Sequence, residues 1–207
     1  MIIIESKRKK PQTILKAHPD AIIADVTSQA KTGLVRLSPF YPHGDIPVPF
    51  SPGYSAACVE GIWQGLKVFE NEDIDISMFR NDTMKNIKRT VRTHGKVLGH
   101  RKGVHGNEIL SYVDAKHQIY IPAYKCVLEN RVCDIIERLR DASINKNKTI
   151  VLLDYNTCTD VDSPTKPLSH AYLVKAFAEG LYPFGKNLPN DGNKIEQPTL
   201  FNYNDLK

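Results

Sequence analysis

Glu60, Gln64 and Lys67 stand at i, i+4 and i+7 of a segment whose apolar residues Val59, Ile62, Trp63 and Leu66 recur at helical spacing. On a helix the three polar tips share one face, bordering the apolar stripe that points to the core. A carboxylate held rigidly beside apolar neighbours is partly desolvated, which raises its pKa and lets it shuttle a proton. An amine at this spacing pairs with the carboxylate, holds a phosphate, or attacks an electrophilic carbon. Gln64 is suited to orienting a hydroxyl or a water. The same residue types also make a solvent-facing ion pair, a common feature of helices. The setting favours chemistry. The segment is entered from a loop over residues 39–53 that carries Pro39, Pro42, Pro47, Pro49 and Pro52. So many prolines exclude a regular helix or central strand, and long irregular loops inside a domain are more often functional than idle.

Positive charge is unevenly spread over a chain of net charge +5. Lys7, Arg8, Lys9 and Lys10 form one cluster. Arg80, Lys85, Lys88, Arg89, Arg92, Lys96, Arg101 and Lys102 form another, interrupted by the single acid Asp82. Such an excess attracts phosphate, on a nucleotide or along a nucleic acid backbone, or else it is simply a solvated face.

The elements that must position these groups read as a mixture. Short buried strands are expected at residues 2–4, 21–26 and 34–37, with a short helix at 13–17 between the first two. Ser55 is expected to cap a helix running to Phe69, and a second helix is expected over 82–92 with Met84, Ile87 and Val91 inward. The basic, glycine-spaced run 96–106 suits a phosphate-wrapping loop. A longer helix is expected over 123–141, then a fully apolar strand at 149–153 that ends in Asp154-Tyr155-Asn156. Polar residues just past a buried strand's C-terminal end are a usual place for ligand contacts. Ser169 caps a last expected helix at 170–179, stopped by Gly180. From residue 183 the composition shifts to Pro, Gly, Asn and Lys, and a flexible tail is expected.

With 207 residues and ordinary apolar and charged fractions, the chain fits one compact, α-rich α+β domain over residues 1–182 plus that tail. No apolar run approaches the roughly 18–20 residues that span a bilayer, so no membrane partner is expected. The opening apolar patch precedes its charges, the reverse of a signal peptide, so a cytoplasmic protein is expected. Cys58, Cys126, Cys133 and Cys158 show neither CxxC pairing nor metal-ligand spacing with histidine. Buried reduced thiols and no metal or other cofactor are the expectation.

The segment Leu37-Ser38-Pro39-Phe40-Tyr41, followed after a proline-rich connection by Val59-Glu60-Gly61-Ile62-Trp63-Gln64-Gly65-Leu66-Lys67-Val68-Phe69, resembles the NADAR (YbiA-like) superfamily, as a divergent member. That family shows an "SPF" or "SNF" segment and then a helix reading roughly S-E-H-x-F-Q-A-x-K-F. Gly99-His100-Arg101 is similar to its glycine–arginine element. Gly61 stands where the family often has histidine, and its late aspartate corresponds either to Asp154 or to the Asp160/Asp162 pair.

The resemblance implies an N-glycosidase acting on ADP-ribosylated guanine bases or related ADP-ribose conjugates, with DNA as one carrier. The alternatives are an N-glycosidase for a small phosphorylated riboside, such as a riboflavin-pathway intermediate or an NAD-derived signal, and a module that binds ADP-ribose or nucleic acid without turnover. Cleaving an N-glycosidic bond builds positive charge on the ribose, which a carboxylate stabilises or relieves by activating water. The implied catalytic groups are Glu60, Lys67 and Asp154, with Lys67 either in an ion pair or attacking the sugar carbon to form a transient Schiff base. Ser38, Phe40, Gln64 and Gly99 would contact substrate. Trp63 would either pack in the core or stack on a base. Arg36, Arg101 and Lys102 are expected on the diphosphate, because guanidinium and ammonium groups engage phosphate oxygens. Asn156 would bind sugar hydroxyls or the leaving base, Ser169 would offer a helix N-terminus to an anion, and His170 would act as an acid or be structural. In the tail, Gln197-x-x-Leu200-Phe201 resembles a sliding-clamp-binding peptide, a short pattern that also arises by chance.

Overall fold

The computed structural model describes residues 1–183. The expected tail, with Gln197, Leu200 and Phe201, lies outside the described residues save for its first position. The described chain is a mixed α+β domain, as the order of apolar runs predicts.

Its centre is a parallel sheet of β1 (Ile2–Ser6), β8 (Ile150–Asp154) and β2 (Ile22–Asp25), with β8 in the middle. Both of its neighbours run in register with it, Ile2 and Ile22 opposite Ile150. A central parallel strand is covered on both faces, which is why its sequence is an unbroken apolar run. Alternation divides that run. Ile150 and Leu152 face the main core, while Val151 and Leu153 join Ile14 of α1 (Pro11–Ala17) in a smaller cluster. The main core is roofed by α5 (Ile121–Asn130), α6 (Cys133–Arg140) and α7 (His170–Ala178), with α7 packed on β1 and β8.

A second, antiparallel sheet joins β5 (Lys67–Phe69), β6 (Val97–Arg101) and β7 (Ile109–Leu110), and β3 (Ile46–Pro47) pairs with β4 (Ser55–Ala56). The helix α2 (Val59–Gly65) feeds directly into β5. It is shorter at both ends than expected: Cys58, not Ser55, is its cap, the thiol accepting from the Gly61 amide at 3.3 Å. It stops where Gly65 lies against the ring of Phe79, so close that a Cβ there would sit 2.4 Å from a ring carbon.

Other expectations are corrected. Residues 34–37 are not a strand but part of a 3-10 turn, Gly33–Leu37, capped by the Thr32 hydroxyl. The helix over 82–92 does not form: Met84 and Asn86 have positive φ, Val91 is 63% exposed, and only α3 (Val91–His94) is helical. The reason is tertiary, since Arg89 is drawn inward instead of lying outside, its guanidinium donating to the carbonyls of Gln64, Lys67 and Asp73. The first half of the basic run 96–106 is strand rather than loop, β6 taking Val97–Arg101, and only the second half is a turn. The long helix over 123–141 breaks at Arg131–Val132 into α5 and α6, Val132 turning into the core. Of the four thiols only Cys58 is buried; Cys126 and Cys158 are partly so and Cys133 is exposed. No helix among the described residues is long and apolar enough to cross a membrane.

Candidate active site

All three parallel strands end on one side of their sheet, and the chain that leaves each of them lines a single cavity of about 810 Å³. Arg8 follows β1, Thr27 to Gln29 follow β2, and Tyr155 and Asn156 follow β8, while Asp154 closes the strand itself. The crevice outside the carboxyl ends of parallel strands is where ligands of such sheets usually bind. The opposite wall is α2 and the segment before it.

That wall carries the polar triplet. Gln64 Nε2 donates to Glu60 Oε1 at 2.8 Å, and Lys67 Nζ donates to Gln64 Oε1 at 2.9 Å. The three residues thus form one relay, with Gln64 oriented by a donor on one side and an acceptor on the other. Gln64 Oε1 also accepts from the Arg89 amide at 3.2 Å. Glu60 is 8% exposed and its backbone N–H donates to Pro39 O at 2.8 Å, which brings the Ser38-Pro39-Phe40 segment against the start of α2. The Ser38 hydroxyl accepts from the Phe40 amide at 3.3 Å and shapes that turn. Burial pushes the Glu60 carboxyl above its usual range, against the opposing pull of Gln64 and Lys67. Burial likewise pulls the Lys67 ammonium down, despite Glu60 nearby. Each group is thereby moved towards its neutral form, the state in which a carboxyl donates a proton and an amine attacks carbon.

Asp154 lies across the cavity with its carboxylate engaged. Oδ2 accepts from the Ser169 hydroxyl at 2.7 Å and the Ala171 amide at 3.3 Å and lies 3.0 Å from His170 Nδ1; Oδ1 takes the Asn156 amide at 3.4 Å. His170 Nε2 donates to Val26 O at 2.9 Å, so both ring nitrogens face acceptors and the doubly protonated imidazolium fits. Burial opposes both charges, yet the pair outweighs it: His170 is raised and Asp154 lowered from their ordinary values. Asp154 and His170 are therefore placed to fix the β8 end and the start of α7, with His170 locked by two partners. Ser169 sits behind the cavity wall, and its hydroxyl also accepts from the Tyr172 amide at 3.2 Å as the α7 cap.

A third wall comes from a continuous helical stretch: α4 (Tyr112–Ala115), a π-helical turn over Lys116–Tyr120, then α5. Tyr112, Lys116 and Tyr120 line the cavity from it. π turns recur at functional sites because they realign side chains within one helix. Lys116 is almost fully enclosed, its ammonium donating to Ser163 O at 2.6 Å and lying 4.9 Å from the Tyr112 ring centroid. At the mouth, Lys88 and Arg8 are exposed and rest over the rings of Phe40 and Tyr155, each 5.8 Å from the centroid.

The structure thus brings together Ser38, Phe40, Glu60, Trp63, Gln64, Lys67, Asp154, Asn156 and His170. It does not bring Arg36, Arg101 or Lys102 to this cavity. Arg36 binds Asp134 and Arg131 O, Arg101 forks onto Asp73, and Lys102 pairs with Glu108. Each is satisfied by a nearby acid, so the diphosphate contacts expected of these three residues have no place at this cavity. Gly99 lies on β6 beside a smaller, adjoining cavity. Arg8 and Lys88 belong to the two basic clusters, but nothing local in the sequence gives either an individual role. Tyr112, Lys116 and Tyr120 were not among the expected site residues; the signal that could have found them is their i, i+4, i+8 spacing, which marks one helix face.

Among known proteins, no curated sequence and no solved structure matches the chain. Residues 6–174 match the model of a family described as a family of unknown function (DUF6939).

Proposed function

As the chain belongs to the family of unknown function DUF6939, we propose from its own residues that it is an N-glycosidase acting on ADP-ribosyl or other phosphorylated ribosyl N-glycosides. The observation that carries this reading is the buried Glu60–Gln64–Lys67 relay opening onto a cavity large enough for a nucleotide. The likeness of its motif to the NADAR superfamily belongs to the same proposal.

In this reading the ribose sits against the relay with its phosphates towards the mouth, where Lys88 and Arg8 are exposed. As the base leaves, charge develops on C1 and the ring oxygen, and the Glu60 carboxylate stabilises it or takes a proton from the attacking water. Lys67, held 2.9 Å from Gln64 Oε1, is the alternative nucleophile. Its amine would bond to C1 as the C1–N bond to the base breaks, ring opening would give an iminium, and water would then release the sugar. A concave site takes a free nucleotide or one base swung out of a strand, since a base within a duplex is out of reach. The clamp-like peptide at Gln197, Leu200 and Phe201 and a cytoplasmic setting would suit a DNA-borne substrate.

The test is incubation of the full chain with an oligonucleotide carrying ADP-ribosylated guanine, with free ADP-ribose conjugates and with phosphorylated ribosides, products being resolved by chromatography. Release of ADP-ribose from the oligonucleotide, lost in Glu60→Gln, supports the reading. Turnover of free compounds alone moves the substrate to small ribosides. Tight binding with no turnover, unchanged by Glu60→Gln, leaves a binding module and ends the glycosidase assignment.

A further inference from the structure

Behind Trp63 lies a second cavity of about 290 Å³, lined by Trp63, Lys67, Gly99, His100, Tyr112 and the strand residues before Gly99. It shares Trp63, Lys67 and Tyr112 with the large cavity, so the two spaces adjoin at the amine end of the relay. His100 is 1% exposed, and neither of its ring nitrogens has a hydrogen-bond partner among the described residues. Buried polar atoms are nearly always paired, and leaving two unpaired is costly unless something else serves them. The imidazole lies against Trp63, ring centroids 3.8 Å apart and planes tilted by 32°. Burial, reinforced by Lys67, holds it neutral, its pKa pulled down to about 3, so it presents one donor and one acceptor at any working pH.

We propose that this second cavity is the subsite for the departing base, a purine held among Trp63, Tyr112 and His100 while its ribosyl phosphate occupies the large cavity. The proposal rests on the glycosidase reading above and assigns its leaving group a place. Aromatic walls suit a planar heterocycle, and a neutral imidazole offers a base hydrogen bonds without the positive charge that would draw a phosphate. The position agrees with the chemistry, since the bond to be broken would then cross the Lys67 boundary between the two spaces. Because the His100 nitrogens are closed off, occupancy goes with a shift of Trp63 and Tyr112, both only partly buried.

Trp63 is the chain's only tryptophan, so its fluorescence reports on this wall directly. The full chain is titrated with hypoxanthine, with ribose 5-phosphate, and with each in the presence of the other, and His100 ring resonances are followed by nitrogen NMR. The expected result is quenching by hypoxanthine, displacement of the His100 signals, and simultaneous binding of the two compounds. His100→Phe keeps the stacked ring without its polar edge and is expected to fold and to bind hypoxanthine about tenfold more weakly, with ribose 5-phosphate binding unchanged. Competition between the two compounds, or hypoxanthine binding that leaves the His100 signals in place, overturns the subsite, as does absence of hypoxanthine binding. Failure of ribose 5-phosphate alone to bind counts instead against the glycosidase reading of the large cavity.

Discussion

The side-chain amide of Gln64 donates to Glu60 Oε1 at 2.8 Å and its oxygen accepts from Lys67 Nζ at 2.9 Å. A buried acid and a partly buried amine are thus held apart by one neutral, oriented linker. Direct contact would fuse them into an ion pair in which neither group is free to react. The linker keeps them coupled while each remains available to the cavity.

Glu60→Gln is expected to lower N-glycoside turnover at least ~100-fold, the range typical of an acid–base or charge-stabilising group. Because burial raises the Glu60 carboxyl above its ordinary 4.5, the wild-type rate should rise with pH along a limb lying above that value if the carboxylate is the working form. A pH–rate profile measured on both proteins checks this. An unchanged rate in the variant removes Glu60 from the reaction.

Lys67 offers a chemical trap. Burial pulls its ammonium below the ordinary 10.5, so part of it is a free amine at lower pH than an exposed lysine would allow. If the amine attacks the sugar carbon, borohydride added during turnover should leave a reduced ribosyl adduct on Lys67, found by peptide mass spectrometry and absent from Lys67→Met. Turnover without any trapped adduct assigns Lys67 to holding phosphate or pairing with Gln64.

Arg89 holds the wall of the site together from behind. Its guanidinium reaches three backbone carbonyls, pairs with Glu72 at 3.4 Å and covers the Phe69 ring. Arg89→Met strands those carbonyls and should cost about 2–4 kcal/mol, a fall in Tm of roughly 5–15 °C for a domain of this size. Calorimetry of the two proteins decides it, and a shift below a degree would show the guanidinium is not a structural tie.

The Asp154–His170 pair makes stability depend on pH in a defined direction. His170 binds its proton more tightly when folded, so its contribution is complete below its ordinary 6.5 and fades as pH rises through the raised value. Asp154 behaves in the opposite sense: its contribution is complete above its ordinary 3.8 and fades as pH falls through the lowered value. Urea unfolding should therefore show greatest benefit from the pair between about pH 4 and 6.5. His170→Gln should flatten the decline on the alkaline side, and an identical pH dependence in both proteins would mean the pair stays neutral.

What the sequence determined by itself was the local grammar. Period-two and period-3.6 apolar patterns are written into neighbouring residues, so β8, the inward face of α2 and the Ser169 cap could be read directly, and so could the shared face of Glu60, Gln64 and Lys67. Only the tertiary structure decided which charges face the site. A guanidinium goes where an acid or a set of carbonyls waits for it, and those partners lie far along the chain: Asp134 for Arg36, Asp73 for Arg101, the carbonyls around Lys67 for Arg89. The same long-range competition unmade the helix expected over residues 82–92. It also placed His100 against Trp63 with no hydrogen-bond partner among the described residues, on a strand whose pairing with β5 sets Lys67 opposite His100, a register that no local pattern encodes.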